Sequence, residues 1–253
     1  LLSNMSAKNH QTAAVESKWI LEKKDLDQLV RALAGKGYSV IGPTVRDGAI
    51  IYDGISCVKD LPEGWTDEQQ GGSYRLKKRN DEALFGYNVG PQSWKKFLHP
   101  SNVRLWQAKK ENSGFSIVPE SERPPKYAFL GVRSCELGAI LIQDSVFLNG
   151  VFQDSIYRSR RESLFVVAIQ CGQAGGTCFC VSMKTGPKAR AGFDLALTEV
   201  LEPSHHYFLA EVGTERGADL LKEIPCVEAK KPEIHAAESC VMEAAAQMGR
   251  TME

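Results

Sequence analysis

Apolar residues in this chain recur with two different periods. In Asp25–Ala34, Leu26, Leu29, Val30 and Leu33 stand three and four apart, and Gly35 and Gly37 follow. That spacing predicts a short amphipathic helix that lays one stripe on a core. Tyr38–Val45 and Ala49–Tyr52 predict two strands around a turn at Asp47-Gly48. Tyr127–Val132 and Leu164–Gln170 are near-continuous apolar runs, the composition of strands buried on both faces. Between them, Cys135–Leu148 carries Leu137, Ile140, Leu141 and Val146 at helical spacing. A strand, a crossover of about thirty residues and a second strand predict a βαβ unit with parallel strands.

Downstream, Phe193–Val200 and Tyr207–Val212 alternate like strands of a meander, while Arg216–Glu223 and Glu233–Met248 read as helices. The fold class is therefore α/β, a mixed sheet with a parallel βαβ unit over 127–171 and antiparallel additions. Residues 1–16 are polar and expected as a flexible tail. Residues 17–227 form the expected domain, and 228–253 hold the expected C-terminal helix. Residues 60–92, with Gly71-Gly72 and the run LKKRNDE, are expected as a solvated excursion over the surface. Pro91–Trp106 is richer in apolar residues, and Trp94 and Trp106 are expected at core or interface contacts.

Charge changes this picture only by exclusion. Lys plus Arg and Asp plus Glu number 31 each in 253 residues, so no basic excess points to nucleic acid. No apolar stretch approaches the roughly 20 residues a bilayer requires, and the N-terminal residues lack the apolar centre of a signal peptide. Neither nucleic acid nor membrane is an expected partner, and the cytoplasm is the expected compartment. No G-x-G-x-x-G or P-loop pattern is present.

Seven cysteines, an odd number, make a poor disulfide framework for such a compartment. Their spacing carries more. Cys57, Cys226 and Cys240 are isolated and expected as structural thiols, whereas Cys171, Cys178 and Cys180 fall within ten residues. In the βαβ reading Cys135 follows the first strand and opens the crossover helix, and Cys171 ends the second strand. Neighbouring strands run about 4.8 Å apart, so both thiols meet at the carboxyl edge, where open α/β sheets bind ligands. The loop Cys171-Gly-Gln-Ala-Gly-Gly-Thr-Cys178-Phe-Cys180 adds two more. Its glycines, Gly175 and Gly176 among them, let backbone N–H groups turn toward sulfur. The crossover helix would aim its positive end at these thiols. Arg133, Arg160 and Arg161 are candidates to offset their charge, or are ordinary solvated charges. All-thiolate ligation suits an iron–sulfur cluster or zinc. No C-x2-C knuckle is present, which disfavours zinc. Spacing alone leaves cluster, zinc, redox thiols and plain buried cysteines open. His99 is weighed as a cap or ligand beside its ordinary role as a loop histidine, and His205-His206 is expected in a polar turn. Lys95 and Lys96 are weighed as a docking point for an acidic redox partner beside a plain surface loop.

Several segments resemble one family. They are GVRSCELGAILIQDSVFL (Gly131–Leu148), Tyr157-x-x-Arg160-Arg161-Glu162, the Cys-x6-Cys-Phe-Cys loop, GFDLALTEV (Gly192–Val200), YFLAEVGTERGADLL (Tyr207–Leu221) and WKKFLHP (Trp94–Pro100). The family is that of the iron–sulfur beta subunits of soluble NiFe hydrogenases, or sulfhydrogenases, and the A subunits of anaerobic sulfite reductases. The resemblance implies an electron-transfer subunit of a cytoplasmic oxidoreductase, without bond chemistry of its own. It implies a 4Fe–4S cluster at Cys135, Cys171, Cys178 and Cys180, with a 2Fe–2S cluster or zinc as the alternative cofactor. Implied partners are a flavin- or NAD(P)-binding subunit, a ferredoxin-type module and a catalytic subunit. Family members continue into a ferredoxin-like module with two cysteine-rich motifs. This sequence contains no such motif, which leaves the relay incomplete within it and the hydrogenase or sulfite reductase setting open. A structural docking domain with a four-cysteine zinc site, or a thiol redox sensor, is the reading from another class.

Overall fold

The computed structural model describes residues 13–88, 90, 92–111, 114–119 and 124–251. Residues 1–12 of the expected tail and Pro91 lie outside these. In chain order the first elements are β1 (Lys18–Glu22), α1 (Leu26–Gly35), β2 (Ser39–Arg46) and β3 (Ala49–Gly54). Two hairpins follow, β4 (Trp65–Gln70) with β5 (Ser73–Lys78), and, after the short α2 (Lys95–Leu98), β6 (Trp106–Glu111) with β7 (Gly114–Pro119). Then come β8 (Tyr127–Val132), α3 (Ser134–Leu148), α4 (Ser155–Ser163) and β9 (Phe165–Ile169). The chain closes with β10 (Leu195–Glu202), β11 (His205–Val212), α5 (Glu215–Leu221), β12 (Val227–Glu228) and α6 (Lys231–Ala246).

One eight-stranded sheet organises the molecule, in the order β12-β1-β11-β10-β9-β8-β2-β3. Its centre is parallel: β2 runs with β8, β8 with β9, and β9 with β10. The flanks are antiparallel. This is the mixed α/β architecture the apolar periods imply, with the βαβ unit as its middle.

Alternation along the strands assigns the two faces. Ala128, Leu130, Val167 and Leu197 face a core shared with Leu26, Leu29, Leu33, Leu220 and Leu221 of α1 and α5. Phe129, Val132, Val166 and Ala196 face the opposite core, with Trp94, Leu137, Ile140 and Tyr157 from the α2, α3 and α4 side. Farther along that second face, α6 lays Ala237 on Ile20, Val200, Tyr207 and Leu209. Helices thus cover both faces of the parallel strands, as such strands require.

Three expectations change here. Leu141 and Val146, read as part of the α3 stripe, are 54% and 64% exposed; Leu137 and Ile140 turn inward, and Phe147 and Leu148 pack on the same core at the end of the helix. Residues 60–92 are not simply a solvated excursion. Ala83, Leu84, Phe85 and Tyr87 are buried, and Leu84 and Phe85 donate their N–H groups to the Glu199 carboxylate of β10. Trp94 is buried and stacked between Tyr52 and Phe129, a core contact as expected, whereas Trp106 is exposed on its hairpin, which excludes the core and leaves only the interface part of its expectation. Among the described residues no helix is long and apolar enough to cross a membrane.

Candidate functional site

The adjacent parallel strands β8 and β9 both end at the same sheet edge. The exit from β8 is shaped by a register shift between Leu130 and Val132, where Gly131 adopts φ +98°. A bulge of this kind re-aims the residues that follow it, and a left-handed φ favours glycine. Arg133 then caps α3. Its N–H donates to Glu136 Oε2 at 2.8 Å, and the Tyr52 hydroxyl donates to Glu136 Oε1. Cys135 stands in the first turn of α3, at the positive end of the helix dipole. From β9, Gln170 bonds both N–H and C=O of Ala189 and leads the chain into Cys171.

Cys171 and Cys180 are buried, Cys178 is half-buried and Cys135 is exposed, and all seven cysteines are free thiols. Burial and neighbouring charge shift three of the site thiols, Cys135, Cys171 and Cys180. Burial raises the Cys180 thiol to about 11, and the charges of Cys171 and Cys178 add to that rise. Burial also raises Cys171; Arg133 opposes the rise and Cys178 reinforces it. The protein packed around Cys135 raises its thiol, and so do the charges of Cys171, Glu136 and Cys180.

Arg133 is the cation of the site. It is 5% exposed, and its Nη2 donates to the carbonyls of Phe85 and Tyr87 at 2.8 Å each. Nε and Nη1 are buried with no hydrogen-bond partner among the described residues. A buried guanidinium beside thiols whose ionisation it favours, Cys171 by hydrogen bonding as well as by charge, fits an anionic occupant.

The loop from Cys171 to Cys180 is clasped from two sides. Gly175 N–H donates to Cys178 Sγ at 3.2 Å, as its glycine content predicts. A Cβ on Gly176 would stand 2.5 Å from the Gln69 carbonyl, so β4 presses directly on the loop backbone. Arg79 of the same hairpin region donates to the Gln173 side chain, and Cys178 Sγ lies 3.7 Å from Asn88 Oδ1. On the other side the chain leaving α6 returns to the site. Gln247 Oε1 accepts from Ala174 N–H at 2.9 Å, and Met248 Sδ lies 3.6 Å from Cys180 Sγ. Sequence patterning gave no sign of Arg79, Asn88, Gln247 or Met248 here, because each lies far along the chain from the cysteines.

The structure does not bring Arg160 and Arg161 to the thiols. Both sit on α4, which enters the amino end of β9, whereas Cys171 leaves its carboxyl end. Arg160 Nη1 donates to the Phe97 carbonyl at 2.6 Å, and Arg161 pairs with Asp144 at 3.1 Å. Asp144 lies nine residues beyond Cys135 on α3, about 13 Å along the axis at about 1.5 Å per residue. Arg161 instead lines a cleft of ≈ 550 Å³ with Arg190, Asp194 and Arg216. His99 stacks on Phe147 on that side of the fold too. His205 and His206 open β11 and pair with Glu22 and Glu199, within a strand rather than a turn. Lys96 donates to the Tyr52 carbonyl at 2.7 Å.

Among the described residues, no three His, Cys, Asp or Glu side chains are placed to hold one metal ion. A tetrahedral ion at about 2.3 Å from each sulfur needs them about 3.8 Å apart. A cubane puts each thiolate on a separate iron and takes a wider spread. Cys171 and Cys180 act on Cys135, and Cys178 acts on Cys171 and Cys180, but among the described residues the thiols are not drawn into a single coordination shell. That donor set, the Gly175 N–H on sulfur and the buried Arg133 guanidinium are compatible with a thiolate-held group.

No family model matches the chain, and no solved structure matches it. Over 168 residues, 66% of the chain, it is 28% identical to "Sulfhydrogenase 2 subunit beta" of Pyrococcus furiosus. The matched stretch spans 47% of that protein, so the chain corresponds to about half of its relative. With the α/β fold and the thiol edge, this identity supports a distant relationship of the chain to the hydrogenase beta subunit family.

Proposed function

We propose that this chain is an electron-transfer subunit of a hydrogenase-type complex in the cytoplasm, and that Cys135, Cys171, Cys178 and Cys180 hold a 4Fe–4S cluster. The observation that carries the reading is that Cys135, in the first turn of α3, and the Cys171–Cys180 loop follow the carboxyl ends of the neighbouring parallel strands β8 and β9, which brings thiols far apart in sequence to one edge of the sheet. The distant relationship to a sulfhydrogenase beta subunit supports the same reading. Residues 17–227 form the cluster-binding domain, and α6 fastens its far end to the thiol loop.

The bound group would supply one-electron chemistry, and the chain's own residues do the rest. Arg133 neutralises part of the thiolate charge from beneath, and Gly175 N–H bonds Cys178 sulfur. The α3 N-terminus adds a positive field. Phe179, Val181 and Met183, 40%, 43% and 50% exposed, leave apolar surface next to Cys178 and Cys180. A partner carrying a flavin, or the catalytic subunit, docks against such a rim, since small electron-transfer contacts suffice for transient encounters.

Anaerobic purification with metal and sulfide analysis tests the proposal. The expected protein is brown and carries iron and acid-labile sulfide in equal amounts, about four of each per chain. A colourless protein with one zinc, or with no metal after reconstitution with iron and sulfide, ends it.

A further inference from the structure

We propose that Asn88 is a positioning residue of the thiol site, whose side-chain amide donates to Cys178 sulfur when that sulfur is a thiolate. The proposal rests on the cluster reading above and extends it to a residue outside the cysteine motifs. Asn88 is held rigidly. Its N–H donates to Asp67 Oδ1, and its carbonyl accepts from Gln69 Nε2 at 3.3 Å. Gln69 also accepts from the Thr177 hydroxyl at 3.2 Å, so one residue of β4 fastens both Asn88 and the residue before Cys178.

The side chain then faces the sulfur. Cys178 Sγ lies 3.7 Å from Asn88 Oδ1. Asn88 Nδ2 is buried without a partner among the described residues. It packs against Gly175, where a Cβ would stand 3.0 Å from it. A thiolate has no proton to give, and Oδ1 would then face sulfur lone pairs. A half-turn about the Cβ–Cγ bond exchanges the two amide atoms at no steric cost, because they are nearly equal in size. Nδ2 then gains an acceptor and Cys178 a second N–H donor beside Gly175. Donors to sulfur stabilise the more negative, reduced state of a cluster and raise its potential.

The test compares the reconstituted full chain with Asn88→Ala, Asn88→Ser and Asn88→Asp variants, by iron content, redox titration and rate of iron loss to a chelator. The expected result is that Asn88→Ala keeps its iron but shifts the reduction equilibrium about tenfold toward the oxidised form, about 59 mV for one electron. It also loses iron several-fold faster. Asn88→Ser, which retains a donor, stays near the wild type, and Asn88→Asp, which has none, falls below Asn88→Ala. Full iron with an unchanged potential in Asn88→Ala overturns the proposal. If Asn88→Ala fails to load, equal potentials in the Ser and Asp variants overturn it. A wild-type chain that takes up no iron and sulfide removes the cluster reading itself, an outcome read before any variant is compared.

Discussion

Arg133 and Cys171 leave the carboxyl ends of neighbouring parallel strands, and the buried guanidinium of the first favours the thiolate of the second. The pair joins two distant stretches of sequence into one electrostatic unit. Arg133 also reaches sideways to the carbonyls of Phe85 and Tyr87, so the cation that serves the thiols pins the 83–88 segment over them.

That double role separates Arg133 from the other candidate arginines. Arg133→Gln leaves two buried carbonyls poorly satisfied and should cost about 1–3 kcal/mol in urea unfolding. It should also lower the potential of the bound group. Changing both Arg160 and Arg161 to Gln should leave the potential unchanged, because Arg161 is paired with Asp144 about 13 Å away along α3. A lowered potential in that double variant would count against the placement.

Cysteine substitutions divide the chain's thiols into two classes. Cys178→Ser should reduce iron content to a small fraction of the wild type. Cys240→Ser should leave it unchanged, since Cys240 packs on Ile20 and Tyr207 beneath α6. Iron and sulfide per chain are the measurement, and a large loss in Cys240→Ser would reject the ligand assignment.

The thiol loop tolerates change unevenly. Gly176→Ala forces a methyl to 2.5 Å from the Gln69 carbonyl, a backbone atom that cannot swing away. It should destabilise by about 1–3 kcal/mol and lower iron retention. Gly172→Ala meets nothing within 4 Å and should be close to neutral. Thermal unfolding of the two variants side by side checks this.

Asp67 gives a pH dependence with a definite sign. Burial raises its carboxyl above the ordinary 3.8, outweighing the hydrogen bonds from Asn88 and Gln69. A raised acid contributes its full stability below the unfolded value and loses it as pH climbs through the folded value. Asp67→Asn keeps the oxygen that accepts from Asn88 and removes the charge. The variant should be more stable than the wild type at pH 7, with the margin vanishing toward pH 3. Denaturant unfolding across that range measures it, and a variant less stable at pH 7 would refute the account.

Local pattern determined much of this protein. Apolar periods of two and of three to four mark β2, β3, β8, β9, α1, α5 and α6 to within a few residues. The order strand–Cys135–helix–strand–Cys171 already implies that two thiols share one edge, since parallel neighbours must end together. Other elements carried no such signal. β1 is five residues, KWILE, whose place beside β11 depends on a partner about 190 positions away. Segment 83–88 is polar in its surroundings and buried only because Glu199 and Arg133 satisfy its backbone. The site follows the same division. Cysteine spacing names the donors, because ligand chemistry is a property of residue type. Which arginine serves them, which amide faces Cys178 and which segment closes over Cys180 depend on contacts between distant stretches. Those contacts arise only when the chain packs, so no local period records them.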